Sequence, residues 1–161
     1  MKRIIFGLLI MSLILMAGCG GGGSGGSKDV LVSLDLPEGW RVREEGTVVL
    51  MQCVNDQGGF FSVTKEKGAI GKNLEEHVEH TKSFHEENYR DIEWLGGTEK
   101  LRIDGRDARE ITYLSNGFKQ KDSIVVIHKT LAFRFSIVAL EADFEGILDY
   151  YQAILDSVKF E

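Results

Sequence analysis

The sequence is poor in several of the things that announce a function. Of its 161 residues only two are cysteine and one is proline, and Lys+Arg number 19 against 25 Asp+Glu. Its one long apolar stretch, residues 4–16, stops short of the roughly 20 residues a membrane-spanning helix needs, which excludes a polytopic membrane protein. One cysteine, Cys53, lies in the part that can fold, so no internal disulfide is available and packing alone must stabilise the domain. The surplus of acid, a net charge of -6, weighs against nucleic acid as a partner, because a phosphate backbone asks for a basic patch. No phosphate-cradling glycine loop opens a helix, and there is no G-x-S-x-G, no CxxC and no HExxH. The length supports a single core burying about two thirds of the unfolded surface, which excludes a multidomain enzyme.

What is present divides the chain into three. Lys2 and Arg3 precede the apolar run, which ends in Ala17-Gly18-Cys19, the layout of a secretory leader cut at small residues. The tract Leu15-Met16-Ala17-Gly18-Cys19 resembles the bacterial lipoprotein signal box, with Met16 where that family prefers Leu. The resemblance implies a signal peptide over residues 1–18, cleavage before Cys19, and acylation of Cys19, which would anchor the chain in a lipid bilayer. Gly20 stands where that family's inner-membrane retention signal is Asp. An outer-membrane location facing the periplasm is therefore expected if the organism has two membranes. Residues 19–29 then form the lipidated cysteine and a tether; the eight residues Gly20–Ser27 span on the order of 15 Å as a coil.

Residues 30–161 are expected to form one domain. Val30, Val32, Leu34 and Leu36 alternate with Leu31, Ser33 and Asp35, the period of a half-buried strand. Pro37-Glu38-Gly39 breaks it, Trp40–Arg43 resumes extended structure with Trp40 at a core edge, and Glu44-Glu45-Gly46 reads as a turn. Thr47–Val54 and Phe60–Thr64 are further strands, and the four pieces fit a β-meander. Asn73 is a plausible N-cap for a helix ending by Asn88, with Leu74, Val78, Thr81 and Phe84 on its apolar stripe and His77 and His85 in the same stripe. Lys100–Ile103 and Ala108–Leu114 form a hairpin around Asp104-Gly105. Asn116-Gly117 marks a turn, which the charged run Lys119–Asp122 is expected to lengthen into a loop. Ser123–Lys129 and Phe133–Leu140 are the strongest strands. Asp143 is a candidate cap for a last helix that buries Phe144, Ile147, Leu148, Tyr151, Ile154, Leu155 and Val158. The fold class is α+β, a central antiparallel sheet flanked by two or more helices.

Three stretches resemble the PsbP-like superfamily, which includes DcrB-like bacterial envelope lipoproteins. They are Leu36-Pro37-Glu38-Gly39-Trp40 after an alternating strand, Ile103-Asp104-Gly105-Arg106-Asp107-Ala108 entering a strand, and Phe144 through Ile154-Leu155-Asp156-Ser157-Val158-Lys159-Phe160. The resemblance covers nearly all of residues 31–161. It implies an α/β/α sandwich and a chiefly non-enzymatic, partner-binding or assembly role, with no catalytic motif or cofactor to carry over. Pro37, Gly39, Trp40, Gly105 and Phe160 are then fold determinants.

Candidate sites are sparse. His77 and His80, at i and i+3 in Glu76-His77-Val78-Glu79-His80, are a weak metal pair, set against the plainer reading of satisfied structural histidines. His128 lies in a strand without a nucleophile elbow. Cys53, inside Val48–Val54, reads as a buried inert thiol. Lys65, Lys67 and Lys72 form the only local positive cluster and are expected to be exposed; Tyr150 turns aside from the buried Tyr151 as a possible contact point. The expected function is a membrane-tethered, non-enzymatic binding or assembly-support module of the bacterial cell envelope, with an envelope protein partner. A small metal-dependent or hydrolytic enzyme using the His77/His80 region is the alternative. A ligand carrier would need an apolar pocket between sheet and helix.

Overall fold

A computed structural model describes residues 30–67, 73–127 and 131–161. The leader, Cys19, the tether, Lys72 and His128 lie outside the described residues.

The domain is a three-layer sandwich. Its middle layer is an eight-stranded antiparallel sheet built from β2 (Trp40–Glu45), β3 (Val49–Asn55), β4 (Phe60–Lys67), β9 (Leu131–Leu140), β8 (Phe118–Ile127) and β7 (Arg106–Ser115) in that spatial order. The short β5 (Glu93–Trp94) and β6 (Glu99–Ile103) both pair with β7 at the far edge. Helix α1 (Leu74–Asn88) covers one face. A 3-10 segment (Glu141–Ile147) and α2 (Leu148–Ser157) cover the other.

Alternation decides which side chain meets which helix. On β9, Phe133, Phe135, Ile137 and Ala139 are buried on the α2 side, where they join Phe61, Val63, Val125, Ile127, Phe144, Ile147, Ile154 and Leu155 in the main core. Each of the large side chains among them removed from water is worth about 1.5–3 kcal/mol. The opposite set, Arg134, Ser136 and Val138, faces α1 across β9. There the apolar contact is small: Val78, Ile111 and Ile124, with Leu74 and Trp94 against them.

Two tight hairpins set the register of β6, β7 and β8. Asp104 and Gly105 take φ of 48° and 72°, and Asn116 and Gly117 take 52° and 79°. These are left-handed pairs that suit the twist of the strands they join. The second turn closes directly from Ser115 to Phe118, so Lys119–Asp122 is strand and not the expected loop. Its charges are tolerated because each finds a partner on the face it meets: Lys119 with Glu145, Lys121 with Glu110, Asp122 with His85.

Other expectations need correction. The first alternating segment keeps its burial pattern, but only β1 (Val32–Ser33) is strand. It pairs with β10 (Lys159–Phe160) in a separate two-stranded sheet, so the meander has three strands and not four. Glu44 and Glu45 belong to β2, and the chain turns at residues 46–48, which takes Thr47 and Val48 out of β3. Asp143 sits within the 3-10 segment, exposed, and α2 starts from Ile147 with no side-chain cap. Phe84 is 50% exposed, because the buried stripe of α1 runs through His77, Val78, Thr81 and His85 and leaves position 84 at its margin. Asn73 does cap α1, its Oδ1 accepting from the Glu76 N–H at 2.8 Å.

The residues matched to the PsbP-like pattern occupy structural positions. Gly39 has φ of 86°, and Trp40 is buried in the core with its ring 6.5 Å from that of Tyr150, which is therefore half-buried rather than turned to solvent. The Trp40 N–H donates to the Pro37 carbonyl across that turn. Phe160 packs on Phe133 and Phe135 at ring distances of 5.4 and 6.3 Å, and its backbone N–H donates to Asp104 in the Gly105 turn.

Candidate functional site

Where α1 meets the sheet, the contact is largely polar. Three of its four buried residues, His77, Thr81 and His85, carry polar side chains. His77 Nε2 lies 3.0 Å from Glu66 Oε2 on β4, and His85 Nε2 lies 3.3 Å from Asp122 Oδ2 on β8. Arg134 on β9 sits between the two carboxylates, with Nε 3.3 Å from Glu66 Oε1 and Nη1 3.9 Å from Asp122 Oδ2. The Tyr113 hydroxyl on β7 donates to Asp122 Oδ2 at 3.4 Å, and Gln120 donates to Asp122 Oδ1 at 2.8 Å.

Four strands and one helix thus converge on one charged cluster. Burial works against ionising Glu66, but the hydrogen bond from His77 and the Arg134 charge outweigh it and hold its carboxyl below the usual range. Asp122 is fully buried; the hydrogen bond from His85, the Arg134 charge and hydrogen bonds from Ser136 and Gln120 hold it low as well. Burial next to Asp122 pushes the Tyr113 hydroxyl far up, so it stays a donor. The Nδ1 atoms of His77 and His85 are buried without a partner, which fits rings that donate from Nε2 to the carboxylates.

Beside this cluster an open cleft of about 510 Å³ separates α1 from the β3–β4 side of the sheet. Its lining includes Glu66 and Arg134 from the cluster, Thr47 and Val48 from the turn before β3, Lys65 and Lys67 of β4, and His80, Thr81 and Phe84 of α1. Val48 is 62% exposed and Phe84 50%, an apolar pair on opposite elements of the rim.

The structure separates the two histidines that the sequence paired. His77 points inward to Glu66 and is buried, while His80 is exposed and lines the cleft. Among the described residues no group of three or more His, Cys, Asp or Glu side chains is arranged to hold a metal. Lys65 is half-buried instead of exposed; Lys67 is exposed. Cys53 is fully buried, and burial with the nearby Glu45 charge pushes its thiol up to about 12. Tyr113 and Arg134 had no signal in the sequence beyond being polar residues in expected strands, while Glu66 lay past the expected strand Phe60–Thr64 and Asp122 in the expected loop.

A second buried polar chain lies under α2. The Tyr151 hydroxyl reaches Phe135 O at 2.9 Å and Ser123 Oγ at 2.8 Å, Ser123 donates to Glu110 at 2.9 Å, and Glu110 pairs with Lys121 at 2.7 Å. It pins α2 to three strands.

No protein-family model matches the sequence, and no curated protein matches it either. Solved structures do resemble it. LpqN of Mycobacterium tuberculosis, a protein involved in cell envelope biogenesis, superposes with a TM-score of 0.61 at 17% identity, over 84% of this chain and 86% of its own. The cyanobacterial PsbP of Synechocystis gives 0.57 at 15% identity, over 87% of this chain and 98% of its own. A Pseudomonas aeruginosa protein of unknown function gives 0.53 at 9%, over 78% of each chain. The fold is PsbP-like. Among the described residues no helix is long and apolar enough to cross a membrane.

Proposed function

We propose that the chain is a lipid-anchored, non-enzymatic binding or assembly-support module of a bacterial cell envelope. The observation that carries this reading is the likeness to LpqN over most of both chains, since that protein is involved in cell envelope biogenesis. The leader ending at Cys19 agrees with it, as does the resemblance to DcrB-like envelope lipoproteins. In this reading Cys19 holds the domain at the bilayer surface through a short tether, outside the cytoplasm, and on the outer membrane facing the periplasm in an organism with two membranes. The sheet and α2 form a rigid platform, and the α1 side, with its cleft, meets the partner.

Fractionation tests the address. The wild-type chain is expected in the membrane pellet with an acylated N-terminal peptide by mass spectrometry, and Cys19→Ser in the soluble extracytoplasmic fraction. Retention of Cys19→Ser in the membrane would refute the anchor. Crosslinking in native membranes tests the role: an envelope protein should be captured by wild type, and much less of it by Cys19→Ser.

A further inference from the structure

We propose that Asn116 is a site of spontaneous covalent modification, where the Gly117 backbone nitrogen closes on the Asn116 side-chain amide to form a succinimide that water opens to isoaspartate and aspartate. The proposal goes beyond the reading of the domain as a binding module and is independent of the anchor at Cys19.

The following residue is the first argument. The sequence holds four asparagines, Asn55, Asn73, Asn88 and Asn116, followed by Asp56, Leu74, Tyr89 and Gly117. Ring closure brings the nitrogen of the next residue onto the side-chain carbonyl carbon, and a side chain on that residue crowds the approach. Only at Asn116 is the next residue without a Cβ. Asn116 and Gly117, both at positive φ, form the two-residue turn of the β7–β8 hairpin, and both are exposed to water.

Hydrogen bonding is the second. Asn55 Oδ1 accepts from the Gly59 N–H at 2.6 Å and the Gln57 N–H at 3.2 Å. Asn73 Oδ1 caps α1, and Asn88 Nδ2 donates to the Phe84 carbonyl at 2.7 Å. Asn116 has one contact, from its Nδ2 to Ser115 Oγ at 3.3 Å. Among the described residues its Oδ1 accepts no hydrogen bond and the Gly117 N–H donates none, so the carbonyl and the nucleophile are both unengaged. A side chain that must first give up a hydrogen bond reacts more slowly by up to about tenfold.

The other left-handed turn, Asp104-Gly105, is the internal comparison. It too places glycine after an acyl side chain, and its ring would close with loss of water. There both oxygens are committed to β10: Oδ1 meets Lys159 Nζ at 3.2 Å and Oδ2 accepts from the Phe160 N–H at 3.0 Å. The same two contacts favour the ionised carboxylate, which resists nucleophilic attack.

At Asn116 the Gly117 N–Cγ bond forms and the Cγ–Nδ2 bond breaks, and ammonia leaves with the proton of the Gly117 N–H. Water then adds to one of the two ring carbonyls. Opening at Cγ gives aspartate; opening at the backbone carbonyl gives isoaspartate, whose main chain runs through Cβ and Cγ and is one atom longer. A turn that closes directly from Ser115 to Phe118 has no slack for that atom. Gly117 O also accepts from the Glu141 N–H at 3.2 Å, so the lengthened turn disturbs the start of the 3-10 segment.

The test incubates the full chain in mildly alkaline buffer, folded and in urea, with peptide mapping that separates aspartate from isoaspartate. In the folded chain Asn116 should convert about tenfold or more faster than Asn55, Asn73 or Asn88, with isoaspartate among the products and Asp104 unchanged. Asn116→Gly, which suits the same left-handed turn, should abolish conversion at this position and keep the circular dichroism spectrum. The isoaspartyl form should lose hydrogen-exchange protection at the Glu141 amide. Conversion of Asn116 in urea but not in the folded chain would overturn the proposal, as would equal rates at all four asparagines of the folded chain.

Discussion

His85 on α1 and Asp122 on β8 stand 37 residues apart in sequence and 3.3 Å apart in space, with side chains 2% and 0% exposed. Their contact is the deepest link between α1 and the sheet. Removing one partner would leave the other polar group, and part of the Arg134 charge, buried without compensation. Asp122→Ala is therefore expected to cost about 3 kcal/mol or more, the scale found when a buried charged pair is broken. Urea unfolding followed by circular dichroism reads this directly. Glu79→Ala, on the exposed face of the same helix and in a surface pair with Lys82, is the control and should change stability by under about 1 kcal/mol.

Cys53 offers a second check. Its burial and raised pKa of about 12 leave essentially no thiolate near neutral pH. In the Cys19→Ser chain the folded protein should not react with a disulfide reagent at pH 8, while addition of denaturant should release full reactivity of Cys53. Rapid modification in the native state would mean that the β3–β4 hairpin opens far more readily than its packing implies.

The left-handed turn residues separate strain from crowding. At Gly105, φ of 72° disfavours any side chain, although a Cβ would meet nothing within 4 Å. Gly105→Ala should thus cost about 1–2 kcal/mol through backbone strain alone. At Gly97, with no positive φ and the same open surroundings, the alanine variant should be neutral or slightly stabilising. Gly59 is the opposite case: a Cβ there would lie 3.1 Å from the Trp40 ring and 3.0 Å from the Asn55 side chain, so Gly59→Ala should lower stability by disturbing the Trp40 contact. Thermal melts of the three variants distinguish these causes.

The α2 side of the fold was legible because one physical rule governs it. Strict 3–4 spacing from Phe144 to Val158 and strict alternation from Phe133 to Ala139 both signal burial in an apolar core, and these residues are buried, except for Leu148, which is half-buried at the core's margin. The α1 side obeys a different rule. Its burial is offset by pairing, and the partners of His77, His85 and Arg134 lie up to 68 residues away in sequence. No local pattern marks Glu66 or Asp122 as special, since a carboxylate in a strand reads as solvent-facing until its partner is known. The same blindness made Lys119–Asp122 look like a loop. His77 and His85 were visible as members of a helical stripe, but what they touch was not.

That difference between the faces predicts the order in which the domain yields to acid. Glu66 and Asp122 both have carboxyl pKa values lowered in the folded state. Groups shifted this way contribute stability that is complete above their unfolded pKa, about 4, and is lost as pH falls through the folded values below it. Their loss bears on α1, whose apolar contact is small, and not on α2, which rests on the main core. The two tryptophans report the layers separately. Trp94 packs near His85 and Tyr113 and donates to Glu86 of α1, whereas Trp40 packs against Tyr150 of α2. In single-tryptophan variants, Trp40→Phe and Trp94→Phe, acid titration below about pH 4 should change Trp94 emission before Trp40 emission. Adding Asp122→Asn should reduce the Trp94 response in that range, because one of the two proton-linked groups is gone and only Glu66 remains, at the cost of lower stability near neutral pH. Coincident transitions for both tryptophans would mean that α1 and the main core form one cooperative unit, and that the polar cluster does not set a separate threshold for release of the helix.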